Sequence, residues 1–168
     1  MIAQKFNVQF EDFILLRSSM NFIDLEAGSK EEFDAAENFP AYEIDFNFGF
    51  KRDKESIYVF TKVSINNGDS PVVGYQLFCE GVGVLNVDKI DLDDPAKWSH
   101  NAVAYCVSQL RAHLQVLTFN GSYGRYTLPL MDLDALIKAK NEAAKSKAVA
   151  TSPSSSRKKS SPAKKKKA

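Results

Sequence analysis

Cysteine is scarce in this chain of 168 residues: only Cys79 and Cys106 occur. Cys79 lies in a strand-like run and Cys106 on an apolar helical stripe, so both read as buried thiols rather than a disulfide framework. Histidine is equally scarce. His100 and His113 fall on one helical pattern, too far apart in sequence to make an adjacent metal pair. There is no glycine-rich phosphate loop with its lysine, no nucleophile elbow and no paired-cysteine motif. Gly81 and Gly83 in "CEGVGVLN" lie inside a strand pattern, without the strand-to-helix turn of a dinucleotide loop. They read as a bulge or a close backbone approach. Asp91, Asp93 and Asp94 fit a solvated loop and a helix cap. The longest apolar run near the N-terminus, residues 13–16, is too short for a signal peptide or a membrane span. The expectation is a cytoplasmic protein with no catalytic activity, no cofactor and no metal.

What is present is hydrophobic bulk and an uneven charge. The chain is 44% hydrophobic and 26% charged, which suits a globular body with a sizeable core. The formal net charge of +1 conceals an asymmetry. Arg157, Lys158, Lys159, Lys164, Lys165, Lys166 and Lys167 are seven basic groups with no acid among residues 148–168, which leaves 15 basic against 21 acidic residues in the body. A body of about −6 therefore carries a basic, low-complexity Lys/Ser/Pro tail, expected to be disordered. The domain reading is 1–147 for the body and 148–168 for the tail.

Four strand-like runs precede two helices. The first is expected near residues 18–26, on Phe22, Ile23 and Leu25. The second, "AYEIDFNFGF", puts Tyr42, Ile44, Phe46, Phe48 and Phe50 on one face and Glu43, Asp45, Asn47 and Gly49 on the other. The third, "IYVFTKVSIN", places Ile57, Val59, Val63 and Ile65 together. "NNGDSP" is a hairpin signal, and "VVGYQLFCEGVGVLNV" is the fourth run. Short connections favour an antiparallel meander. At "DLDDPAKW" the period changes: Asp94 is an N-cap and Pro95 a first helical residue. Ala102, Cys106, Leu110, Leu114 and Leu117, widened by Val103 and Val107, form a helical stripe stopping near Asn120-Gly121. Such a helix, about 37 Å long at ~1.5 Å per residue, hints at a partner helix. A second helix starts from a cap at Asp132, with Leu133, Leu136 and Ile137 as its apolar positions.

The face opposite the core is expected to be only partly polar. Glu43, Asp45, Asn47, Lys62, Ser64, Gln76 and Glu80 fit it, but Tyr58 and Phe60 share it, and Phe78 lies between Gln76 and Glu80. Aromatics there mark either an interaction surface or a face covered by a second layer, such as the N-terminal segment or a sister subunit.

"QLRAHLQVLTFNGSYGRYTLPLMDLDALI" resembles the C-terminal half of SecB, the bacterial chaperone for exported preproteins. The pieces are Arg111, the Thr118-x-x-Gly121 turn with Tyr123, and Leu128-Pro129 approaching Leu133-Asp134-Ala135-Leu136. "YQLFCEGVGVLNV" and "SSMNFIDLEAG" are similar to two of the family's strands. The likeness spans roughly residues 12–147. It implies an α+β fold, a four-stranded antiparallel sheet followed by two helices, assembling as a homotetramer, a dimer of dimers, with no catalysis. It implies a holding protein for unfolded polypeptides, and a translocation ATPase contact at Glu26, Phe78 and Glu80. The chain departs from the family in its basic tail, in Phe22 where an acid is usual, and in the start of the first helix. SecB-like proteins also serve single clients such as an antitoxin.

The function expected is an ATP-independent holding chaperone that keeps preproteins or other non-native chains translocation-competent. Phe46, Phe48, Tyr58, Phe60 and Phe78 are the candidate client-binding residues. The alternative is a non-chaperone interaction module whose tail binds nucleic acid, ribosomes or anionic lipid. A small-ligand or lipid carrier on the same sheet is a third reading.

Overall fold

The computed structural model describes residues 8–24, 39–53, 56–87 and 95–150. Four strands form one antiparallel sheet: β1 (Val8–Ile23), β2 (Ile44–Asp53), β3 (Ser56–Ile65) and β4 (Gly74–Val87). Two helices follow, α1 (Pro95–Thr118) and α2 (Leu133–Ala150). The chain divides into two units, residues 1–133 and residues 134–168. The first holds the sheet and α1, and the second is represented by α2, with Asp134 in its first turn, where a negative charge suits the helix dipole. The boundary expected at 147/148 falls inside α2. The tail residues beyond 150, along with Glu26, Asp91, Asp93 and Asp94, lie outside the described residues.

The sheet order is β1-β4-β3-β2. Strands β2, β3 and β4 form the expected meander, but β1 corrects its extension: it pairs with β4 on the far side, not with β2. The first strand also begins ten residues earlier than its pattern predicts, at Val8 rather than Ser18. The reason is visible in its register, which slips between Phe10 and Asp12 and again between Leu15 and Arg17. Each extra residue resets the in–out alternation, so the run Phe13, Ile14, Leu15, Leu16 shows no period of two.

One face of the sheet is the core. Ile57, Val59, Val63 and Ile65 of β3 and Tyr75, Leu77, Cys79 and Leu85 of β4 are buried there. Helix α1 packs on β4, β3 and β1 through Ala102, Val103, Cys106, Val107, Leu110 and Leu114, all buried. Gly83 allows that approach: a Cβ on it would stand 2.5 Å from the Cys106 Sγ. At the turn between β3 and β4, Asn66 takes φ = 57°, a left-handed conformation that asparagine tolerates. Its Nδ2 donates to the Val72 and Tyr75 carbonyls, and its Oδ1 accepts from the Val72 amide.

The segment after α1 is pinned by the residues that carry the SecB resemblance. Thr118 Oγ1 donates to the Leu114 carbonyl and accepts from the Tyr126 amide. Arg111 donates from Nε to the Leu128 carbonyl and from Nη2 to that of Pro129. Tyr75 Oη accepts from the Tyr123 amide at 3.0 Å and donates to the Gly124 carbonyl at 2.8 Å. Tyr123 Oη in turn donates to the Ile23 carbonyl and reaches Asp24 Oδ1. A Cβ at Gly121 would collide with Tyr75 Oη, so that turn requires glycine. These family-like positions hold the loop to the sheet.

Candidate functional site

Register assigns each candidate aromatic to a face. On β2, Phe46 lies opposite Val63 and Phe48 opposite Thr61, both core-facing positions of β3. Phe46 and Phe48 therefore point to the α1 side. There Phe46, Phe48, Phe50 and Trp98 make a continuous run of ring contacts, with centroid separations of 6.1, 5.6 and 5.2 Å. Phe48 and Trp98 are buried, while Phe50 is partly exposed. The indole Nε1 of Trp98 is buried with no hydrogen-bond partner among the described residues. Sequence reasoning missed Trp98, because one tryptophan at a helix start has no periodic signature.

Tyr58, Phe60 and Phe78 lie on the opposite, outer face, as their alternation with buried neighbours requires. Cross-strand pairing arranges that face in rows. One row is apolar: Ile14, Val82, Phe60 and Gly49 follow one another across β1, β4, β3 and β2. Val84 and Tyr58 widen it by a second row, which ends in Asp12 on one side and Lys51 on the other. Phe60 is 40% exposed and Ile14 46%. Gly49 adds no side chain, and a Cβ there would meet nothing within 4 Å. The result beside Phe60 is a hollow of about 200 Å³, rimmed by Asn47, Lys62 and Glu80.

The next row is charged and alternates in sign: Arg17, Glu80, Lys62, then Asn47. It separates Phe60 from Phe78, which belongs to the row Ser19, Phe78, Ser64, Asp45. The structure thus brings Tyr58 and Phe60 together and keeps Phe78 apart. Arg17 covers Phe78, its Cζ 4.4 Å from the ring centroid, and its Nη2 is 3.9 Å from Glu80 Oε2. This outer face is of mixed charge, not acidic throughout. Glu43 and Asp45, with Ser64, Asn67 and Gly68, line a separate hollow of about 310 Å³ at its β2 corner.

Ile14, Val82, Val84 and Gly49 were not distinguishable as site residues by local pattern, since their grouping depends on cross-strand register. On the outward side of α1, Val116 and Phe119 are exposed beside Arg125. The two thiols are core groups. Burial pushes Cys79 up to about 11 and Cys106 up to about 12. Among the described residues no helix is long and apolar enough to cross a membrane.

No protein-family model matches the chain, and no curated protein does. Among solved structures it is similar to the Mycobacterium tuberculosis SecB-like chaperone Rv1957, solved in complex with a ChAD peptide from the HigA1 antitoxin Rv1956. Identity is 14% and the TM-score 0.50, over 74% of this chain and 91% of that one. It is also similar to a Streptococcus agalactiae protein of unknown function, at 12% identity and a TM-score of 0.42, over 73% and 97% of the two chains. What the first likeness shows is the fold: this chain has the SecB-like arrangement of a four-stranded antiparallel sheet followed by two helices.

Proposed function

We propose that the protein is an ATP-independent holding chaperone that binds extended, non-native polypeptide. The observation that supports this best is the apolar band on the outer face, where exposed Ile14 and Phe60 flank the buried Val82 and are backed by half-buried Val84 and Tyr58. It sits on a rigid sheet and is bordered by charges of both signs. Each apolar side chain laid on it contributes roughly 25 cal/mol per Å² removed from water, with no demand on sequence. The solved SecB-like neighbour is itself bound to a peptide, which favours polypeptide over a small ligand as the partner class. Phe46 and Phe48 enter the reading through the second aromatic run, whose exposed end is Phe50. In this reading the protein works in the cytoplasm without cofactor or catalysis, as a homotetramer. The clients are preproteins or a dedicated partner such as an antitoxin.

Transfer to a translocation ATPase through Glu26, Phe78 and Glu80 belongs to the same proposal. Arg17 already lies against two of those three residues, so a basic partner segment has to displace it. The experiment is suppression of aggregation of a reduced, unfolded model protein. The second reading, an anion-binding module, rests on the seven basic residues of the tail. A salt-dependent gel shift lost on deleting residues 151–168 supports it, and binding unchanged by the deletion removes it.

A further inference from the structure

Gly49 stands in the interior of β2, where a residue without a side chain weakens a strand. The other described glycines have visible reasons for being there. Gly74 and Gly124 take positive φ, 128° and 78°, and Gly68, Gly81, Gly83 and Gly121 each lie against a side chain that a Cβ would strike. Gly49 has neither reason: its φ is not positive, and a Cβ on it would meet nothing. What its missing side chain provides is the hollow beside Phe60. Glycine in a strand often marks a place where another molecule approaches closely.

The hollow, about 200 Å³, is smaller than the roughly 300–1,000 Å³ of a site for a drug-sized ligand, and suits one large side chain. Phe60, 40% exposed, forms its wall and offers a ring for an aromatic partner. Two lysines flank it. Lys51 is two residues from Gly49 along β2, and Lys62 lies two residues the other way, in the row opposite Asn47. Among the described residues neither lysine has an ion-pair partner. At ~3.4 Å per residue they stand about 14 Å apart along the strands, with the hollow midway. That is the span from residue i−2 to residue i+2 of an extended segment, whose side chains at i−2, i and i+2 share one face. The acid on the rim, Glu80, is one strand further away and already has Arg17 at 3.9 Å.

We propose that this hollow anchors one aromatic side chain of an extended client segment that carries an acid two residues to either side, the pattern acid-x-aromatic-x-acid. The aromatic ring fills the space left by Gly49, and the two carboxylates meet Lys51 and Lys62. Asp45 and Asp53, four residues from Gly49 on the same face of β2, bound the pattern, since a longer acidic run would meet like charge. The inference rests on reading the outer face as a polypeptide-binding surface, and adds a preferred anchor to a band that is otherwise tolerant of sequence.

The test is fluorescence anisotropy of the full chain with three labelled peptides, otherwise neutral, containing Asp-Ser-Phe-Ser-Asp, Asp-Ser-Ala-Ser-Asp or Lys-Ser-Phe-Ser-Lys. The first is expected to bind about tenfold or more tighter than either of the others at low ionic strength. Its advantage over the lysine peptide is expected to shrink near 1 M salt, where the Debye length falls to about 3 Å. Gly49→Leu fills the hollow and is expected to weaken binding of the first peptide about tenfold or more without lowering the melting temperature, because nothing obstructs the new side chain. Lys51→Glu with Lys62→Glu keeps the glycine and is expected to reverse the preference toward the lysine peptide. Equal binding of the acidic and basic peptides by the wild-type chain, or unchanged binding by folded Gly49→Leu, would overturn the anchor. A chain that suppresses aggregation without discriminating among the peptides removes the anchor alone. Selective peptide binding without suppression removes the holding function alone.

Discussion

The guanidinium carbon of Arg17 stands 4.4 Å from the centroid of the Phe78 ring, on the face of the sheet away from α1. This contact places a cation over the residue that the family resemblance assigns to an ATPase contact. It also partly offsets the charge of Glu80 beside it. Both interactions are exposed and individually worth about 1 kcal/mol or less. Arg17→Ala is therefore expected to shift the melting temperature by only a few degrees. The same change is expected to tighten binding of a lysine-rich peptide a few-fold at low salt, because it removes one of the two cations that flank Glu80, leaving Lys62 alone. Titration calorimetry checks this. Unchanged affinity would show that Arg17 does not compete for that surface.

Tyr75 Oη joins the sheet to the segment after α1 through two hydrogen bonds, to the Tyr123 amide and the Gly124 carbonyl. Tyr75→Phe leaves both groups without their partner and is expected to cost about 1–3 kcal/mol. Gly121→Ala acts on the same oxygen from the other side, forcing a methyl against it. Denaturant unfolding of the two single variants and the double measures this. The double is expected to be less destabilised than the sum of the singles, since removing the hydroxyl relieves the closest contact and leaves the methyl against the ring carbons at 2.9 and 3.0 Å.

The buried acids of the core set an alkaline limit to stability. Burial raises Cys79 to about 11, Cys106 to about 12 and Tyr126 to about 12. In the unfolded chain these groups lose their protons near their ordinary values of 9 and 10, while the native state still holds them. The unfolded state thus binds fewer protons, and stability falls as pH rises. Their full contribution is expected below about pH 9 and is lost progressively from there to pH 12. Denaturant midpoints from pH 7 to 11 read this directly. In the same sense, neither thiol is expected to react with a thiol reagent at pH 8 until the protein unfolds.

Trp98 is the only tryptophan, is buried, and packs edge-on against Phe50 at 5.2 Å. Its fluorescence separates the two aromatic surfaces. A client entering beside Phe46, Phe48 and Phe50 is expected to shift the emission, and a client confined to Phe60 and Tyr58 to leave it unchanged. Titration with an unfolded client and with the Phe60→Ser variant distinguishes the two.

Much of this arrangement was legible in the sequence, wherever structure is local. Alternation on β2 and β3 placed Tyr58 and Phe60 on the outer face, and Phe46 and Phe48 toward the helix. The stripe from Ala102 to Leu114 gave α1, whose observed end at Thr118 is two residues before its expected stop at Asn120-Gly121. Strand β1 was not legible, because slips near Glu11 and Leu16 break the alternation on which recognition depends. Its place beside β4 was hidden too, since sheet order is decided by long-range pairing. The same limit applies to the site. Phe60 and Phe78 look like neighbours in a list of outward aromatics. Only the register shows a charged row between them and joins Phe60 to Ile14 and Val82 instead.

The central claim is that the outer apolar band holds non-native polypeptide, and light scattering of a reduced, aggregating model protein tests it most directly. A stoichiometric amount of the assembled protein is expected to suppress scattering without ATP. Phe60→Ser with Tyr58→Ser is expected to lose most of that effect while keeping the native fold and assembly. Scattering unaffected by the wild-type protein at stoichiometric assembly would contradict the account.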